Sequence, residues 1–364
     1  MAMIQFTDAG AARQGHSATR ALAQAAVAAG RAPSICNSQP WRWRIADDVA
    51  ELRADWERQV AVVDPDGRLL TISCGTALHH ACTALAGDGF VIDVARLPDA
   101  GDPDLLARIR VDGAGTPERA AVRLRLAMAL RHTDHGPFAD VEVPPPAVDR
   151  LREAAEVQGV HLRLLRPDEV IKFAIAASAA EFADPSAPIP ESTVIPVGTV
   201  IPVGTVIPVG TVIPVGTVIP VGTVIPVGTV IPDSMAIPEG TGPDHGLRLA
   251  PLRSGGLGGL SGTGPRDLVE RHACYAVLVA DEDRRGDWLA AGEALSAVLL
   301  TATDERLGAL PISEVIEAAA TRMLLRELLG GGGYPMVAVR IGVPADGPLA
   351  AAARRAAAEV AVPA

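Results

Sequence analysis

The ten residues 32–41 read Ala-Pro-Ser-Ile-Cys-Asn-Ser-Gln-Pro-Trp, so Ser34, Asn37, Ser38 and Gln39 fall within six residues between Pro33 and Pro40. A polar loop pinned by two prolines can present backbone amides and short side chains to a flat ligand. An ordinary helix-to-strand turn is the alternative reading of the same residues. Cys36 lies inside the loop, near any such ligand or simply as a small apolar side chain. His79 and His80 are adjacent on an expected helix, where side chains point about 100° apart, so they cannot chelate one metal and read as partly buried polar groups. The four cysteines show no ligand-like spacing and read as thiols of a reducing compartment. No Ser-His-Asp set or metal cluster stands out. Glycine-rich 255–259 and 330–333 lack the preceding strand and the lysine of a phosphate loop.

The loop needs a helix before it and a strand after it. Residues 17–30 read as an alanine-rich helix stopped by Gly30 and Pro33, after a partly ordered arm over 1–15. Residues 41–45 alternate like a half-buried strand. Residues 60–63 read as another strand, 64–67 as a turn, and 75–85 as a helix ended by Gly87-Asp88-Gly89. Strands follow at 91–97 and 108–111, then a helix over 117–130 with Thr116 as N-cap and Pro117 at its first position. A helix over 146–157 and a strand over 161–165 repeat the opening order. Strands at 274–280 and 336–341 and a helix at 288–302 close the series. Gly75-Thr76-Ala77-Leu78 finds an echo in Gly292-Glu293-Ala294-Leu295, which suggests a degenerate internal duplication.

Residues 194–232 hold six copies of Val-Ile-Pro-Val-Gly-Thr and a truncated Val-Ile-Pro. Such identity reads as recent tandem expansion. An irregular loop, a strand-and-turn array and a six-residue β-helix are all open, and an insertion without function is preferred. The 364 residues, 49% hydrophobic, suffice for two domains or one large one. A net charge of −11 disfavours sequence-independent nucleic-acid binding. No signal peptide or membrane helix is expected, which points to the cytoplasm.

Seven of the ten residues at 32–41 resemble the A-P-S-x-x-N-x-Q-P-W signature of the nitroreductase superfamily, where this loop lies against FMN. The chain is further similar to the Acg family, in which two nitroreductase-like halves are fused. The resemblance implies an α+β, pseudo-dimeric fold with a helix-wrapped central sheet in each half. The halves would be 1–130 and 131–346, the second interrupted by an insertion at 188–240, with a tail at 347–364.

Arg131-His132-Thr133-Asp134-His135-Gly136-Pro137-Phe138 resembles the R-R-T-D-R-R-P-F segment of that family. Carried over, Arg131 meets the FMN phosphate, through the bidentate bonds arginine supplies, and Thr133 donates its hydroxyl nearby. His132 and His135 stand where the family has arginines, so phosphate binding should be weaker or pH-dependent. A solvated linker is the alternative. Arg354 and Arg355 resemble a paired arginine near the family's C-terminus, or else form a charged face of a terminal helix. The cofactor set is therefore Pro33, Ser34, Asn37, Gln39, Arg131, Thr133, His135, Arg354 and Arg355, one site per chain between the halves. No side-chain acid or nucleophile is required, because a flavin carries the hydride chemistry.

The implied activity is NAD(P)H-dependent two-electron reduction of quinone or nitro compounds by a ping-pong route. A lidded FMN-binding or storage protein with little turnover is the rival, and a scaffold without cofactor a third possibility. The repeat sits where the family carries its W-x-R…D-G-[IV]-P region, and if that region helps form the lid, the pocket would be more open than in relatives. Expected partners are a small-molecule electron acceptor, with no nucleic acid and no membrane. The chain would be a monomer, as an intramolecular pseudo-dimer, or a homodimer.

Overall fold

Ala18, Ala21, Leu22, Ala25, Ala26 and Ala29 recur at helical spacing and form the buried face of α1 (Asp8–Ala29). A computed structural model describes residues 8–170, 172–173, 272–317, 319–345 and 354–363. The hexapeptide repeat and glycine-rich 255–259 lie outside them. Helix α1 begins well inside the stretch expected to be an arm. After it, Trp41, Trp43 and Ile45 point into the core from β1 (Trp41–Ala46), while Arg42 and Arg44 face outward.

The first sheet is completed by β2 (Val49–Ala54), β3 (Phe90–Arg96) and β4 (Leu105–Ala114). Two further helices belong to it, α2 (Arg68–Gly87) and α3 (Arg119–Leu130). The second group comprises α4 (Pro145–Glu156), β5 (His161–Leu164), β6 (Cys274–Ala280), α5 (Arg285–Asp304), β7 (Gly308–Ile312), α6 (Ala319–Leu328) and β8 (Tyr334–Gly342). The fold is thus α+β with two helix-flanked sheets. The first runs β3-β4-β2-β1 and the second β7-β8-β6-β5, with every one of those neighbours antiparallel. Corresponding strands therefore follow one another in the same order, consistent with two fused halves. The first sheet gains a fifth strand, β9 (Ala361–Pro363), parallel to β1.

The two sheets meet through α2 and α5, the most extensively packed pair of helices. Each helix reaches into the other's core. Leu69 and Ile72 of α2 sit in the apolar cluster of the second sheet, and Leu289 and Leu300 of α5 sit in that of the first. The crossing point is the echoed glycine pair. A Cβ on Gly75 would stand 2.1 Å from the Leu289 carbonyl oxygen, and one on Gly292 would stand 1.9 Å from that of Ile72. Each glycine thus meets the oxygen three residues before its counterpart, a reciprocal contact of local two-fold character. Only glycine permits main chains so close.

The crossing explains one misreading. Gly75 looks like a helix start, but α2 begins at Arg68, with Gly67 left-handed (φ +70°) and Asp64 accepting from the Leu69 and Leu70 N–H groups at 2.9 and 2.8 Å. Residues 61–63 are a turn rather than a strand; the strand is β2, earlier in the chain. The N-cap of α3 is Glu118, not Thr116. Helix α2 is long and apolar enough to cross a membrane by composition, and its burial at the centre of the molecule accounts for that.

Candidate functional site

The loop between α1 and β1 is held in an unusual backbone shape. Cys36, Asn37 and Gln39 have φ of +46°, +51° and +49°, a left-handed region that side chains rarely adopt. Ser34 offsets part of the strain, its Oγ accepting from the Gln39 N–H at 2.9 Å. Gln39 Nε2 donates to the Asn37 carbonyl at 3.3 Å. One face of α2 holds the loop from beneath. Ser73 Oγ accepts from the Ile35 N–H at 3.1 Å, Thr76 Oγ1 donates to the Pro33 carbonyl at 2.6 Å, and Cys74 Sγ lies 3.1 Å from that of Pro40. Strain fixed by so many partners is characteristic of ligand-binding loops.

The chain's C-terminal segment crosses the loop from outside. Arg354 donates to Asn37 Oδ1 at 3.2 Å and to the Arg31 carbonyl at 3.4 Å. The Arg355 N–H donates to Gln39 Oε1 at 3.0 Å, and its guanidinium to the Gln39 and Trp41 carbonyls at 3.1 and 3.2 Å. Buried Asp55 lies 3.6 Å from Arg355 and 2.9 Å from Arg42. Arg58 adds a bond to the Ser38 carbonyl at 2.6 Å. Pairing of β9 with β1 fixes this strap in place.

Arg131 enters from the end of α3. It is only 9% exposed, and its Nη2 donates to the Arg31 carbonyl at 3.2 Å, the same oxygen that Arg354 approaches. Among the described residues its Nε and Nη1 are buried without a hydrogen-bond partner, and no carboxylate pairs with it. Burial, then the charge of Arg354, pulls the Arg131 guanidinium down to about 10. Arg354 is itself lowered by burial and by Arg31. Two cations therefore converge on one neutral oxygen beside a strained polar loop. Buried donors without acceptors, next to a second cation, fit a phosphate or similar oxyanion.

The structure brings together Pro33, Ser34, Asn37, Gln39, Arg131, Arg354 and Arg355. It does not bring in Thr133 or His135. Neither makes a hydrogen bond to this cluster among the described residues, and His135 is exposed. The cause is Arg340, buried under the Phe138 ring, which donates to the Asp134 and Gly136 carbonyls at 3.3 and 2.6 Å. With the Asp134 N–H bonded to the Ala309 carbonyl, the segment after His132 is drawn onto the second sheet.

Sequence reading missed Ser73 and Thr76 as partners of the loop, and His80 one turn beyond them. Their spacing along one face of α2 was the available signal. His80 is fully buried rather than partly so. Cys36 is exposed, Cys74 is buried with its thiol pushed up by burial, and none of the four cysteines forms a disulfide. No three potential metal ligands cluster among the described residues.

No family model matches the chain. It is 33% identical over 315 residues to a Mycobacterium tuberculosis (strain H37Rv) protein named "Putative NAD(P)H nitroreductase Rv3131", covering 86% of this chain and 82% of that one. It is 34% identical over 168 residues to "Putative NAD(P)H nitroreductase acg" of the same strain, covering 45% and 49%. A third relative there, "Uncharacterized protein Rv3127", is 26% identical over 330 residues, covering 88% and 86%.

Proposed function

Because the chain belongs to the nitroreductase-like family that includes the acg protein, we propose that it is an FMN-dependent oxidoreductase. It takes electrons from NAD(P)H and passes two of them to a quinone or nitro compound. The observation that carries the reading is Arg131, buried with two unpartnered guanidinium nitrogens against the strained 34–39 loop. Arg131 and Arg354 would hold the phosphate, and Asn37 and Gln39 would orient the cofactor from the loop they stiffen. FMN, when bound, supplies the hydride chemistry. The protein's part is to bind, orient and exclude water, which agrees with a site built on buried donors.

Two sheets with one strand order support a fused, nitroreductase-like pair sharing a single site. Arg131 follows α3 and Arg354 precedes β9, the strand added to the first sheet, so both arginines are presented beside the α1–β1 loop. Thr133 and His135 have no part in this reading.

Absorption spectroscopy of the full chain titrated with FMN tests it. Arg131→Ala should weaken FMN about 100-fold, the order expected for a charge-assisted bidentate contact. Ser34→Ala should speed FMN release by loosening the loop. Equal retention by both variants and the parent would overturn the placement. Anaerobic addition of NADH and NADPH then separates enzyme from store: bleaching of the flavin band supports turnover, and a bound flavin that resists both donors makes the protein a flavin carrier.

A further inference from the structure

His80 lies one turn beyond Thr76 on α2 and is 0% exposed. Its Nδ1 stands 2.7 Å from Ser296 Oγ of α5 and 3.1 Å from the Thr76 carbonyl oxygen. The same Ser296 Oγ stands 2.7 Å from His79 Nδ1. A serine hydroxyl has one proton to donate, and a carbonyl can only accept. If Ser296 donated to His80, a bare Nδ1 would face the Thr76 oxygen, lone pair against lone pair. If Ser296 donates to His79 instead, His80 carries its proton on Nδ1 and both its neighbours accept. The bonding pattern thus assigns the Nδ1–H tautomer to His80.

That assignment leaves a lone pair on Nε2. The atom is buried and has no hydrogen-bond partner among the described residues. A buried acceptor therefore lies on the face of α2 that carries the loop, one turn from Thr76, whose hydroxyl holds the Pro33 carbonyl.

We propose that His80 Nε2 is an acceptor of the ligand site, taking a hydrogen bond from a hydroxyl of a polyol chain whose phosphate rests on Arg131 and Arg354. The inference rests on the FMN reading and deepens it. A bare phosphate answers only the arginines, whereas a hydroxylated phosphate ester answers the arginines and the histidine together. Burial first, then Arg131, His79 and Arg354, hold the His80 imidazole well below its usual range, against a smaller opposing pull from the Thr76 carbonyl. The acceptor consequently persists through neutral and alkaline pH. His79 is held down to about 4, mainly by burial and also by Arg96, so it brings no proton to the cluster. Ser296 is a positioning residue that acts by fixing the tautomer.

The test compares inorganic phosphate with ribitol 5-phosphate on the full chain by calorimetry. The parent should bind ribitol 5-phosphate about 10-fold more tightly, the order of one hydrogen bond to a buried group. His80→Asn keeps a donor where Nδ1 was and deletes Nε2. It should abolish that preference at every pH from 7 to 9 and leave phosphate affinity unchanged. Equal weakening of both probes, or no change in either, would overturn the proposal. Neither probe carries the flavin ring, so failure to bind FMN alone sinks the FMN reading and leaves the His80 result standing. Should the variant misfold, ring 15N spectra of the parent decide. A bare Nε2 that shifts with ribitol 5-phosphate but not with phosphate upholds the inference, and a protonated Nε2 overturns it.

Discussion

The two sheets share a strand order but differ in how the chain enters them. In the first group the connection from α1 to β1 spans residues 30–40, with three side-chain-bearing residues at positive φ and partners from α2 and the C-terminal strap. In the second, the connection from α4 to β5 spans only 157–160 and turns on Gly159, whose φ of +75° glycine adopts without strain. Equivalent frames thus carry a constrained polar loop on one side and an economical turn on the other. Strand order sets where a loop can stand; the length and chemistry of the loop decide whether it can hold a ligand.

The largest expected effect falls on what the two regions share. Gly75→Val would drive a side chain onto the Leu289 carbonyl, main chain that cannot swing aside. We expect a loss above about 3 kcal/mol and a Tm lower by about 10 °C in thermal denaturation. A variant melting within 2 °C of the parent would break the picture of a common pivot.

Next comes a contrast between two buried arginines. Arg340 in the second sheet is matched to two carbonyls and a ring, so Arg340→Met should cost about 2–3 kcal/mol. Arg131 in the first group keeps two nitrogens unpartnered, so Arg131→Met should leave ligand-free stability unchanged or raise it by about 1 kcal/mol while FMN affinity collapses. Urea unfolding of both variants, with and without FMN, checks the pair. Equal destabilisation would erase the distinction between a structural arginine and one reserved for a ligand.

The acid response should follow. His79 and His80 are held neutral in the fold, His79 down to about 4 and His80 lower than its usual range. Between the ordinary histidine value and those depressed values, the unfolded chain binds protons that the folded chain refuses. Stability therefore falls as pH drops below about 6.5, by up to about 1.4 kcal/mol per pH unit for each histidine. Melting curves from pH 7 to 5 for the parent and a His79→Gln, His80→Asn double variant test this; parallel slopes would contradict it.

The smallest effect belongs to the plain turn. Gly159→Ala meets open space but an unfavourable φ, so it should cost about 1 kcal/mol and leave FMN binding untouched. A change in cofactor affinity would show that the second connection takes part in the site after all.

Much of this was legible in the sequence where pattern is local. The alternation of Trp41, Trp43 and Ile45 gave β1, and the alanine spacing gave α1. The loop at 32–41, Arg131 and the paired arginines led to seven residues that the structure gathers. What escaped depended on distant partners. Val-Ala-Val-Val at 60–63 has strand composition but no neighbour to pair with, while mixed β2 is fixed by β1 and β4 on either side. Thr133 and His135 follow Arg131 in sequence, yet Arg340 pulls their segment elsewhere. The acceptor role of His80 depends on Ser296, 216 residues away, and no local spacing encodes that bond.

The Gly75–Gly292 contact also constrains descent. A side chain gained at either position presses on backbone, and the opposing residue is already the smallest there is, so no second mutation can make room. Most core changes can be rescued by trimming a neighbour; this one has no rescuer. Among natural variants of the chain, both positions should stay glycine, a coupled pair frozen by geometry rather than by chemistry.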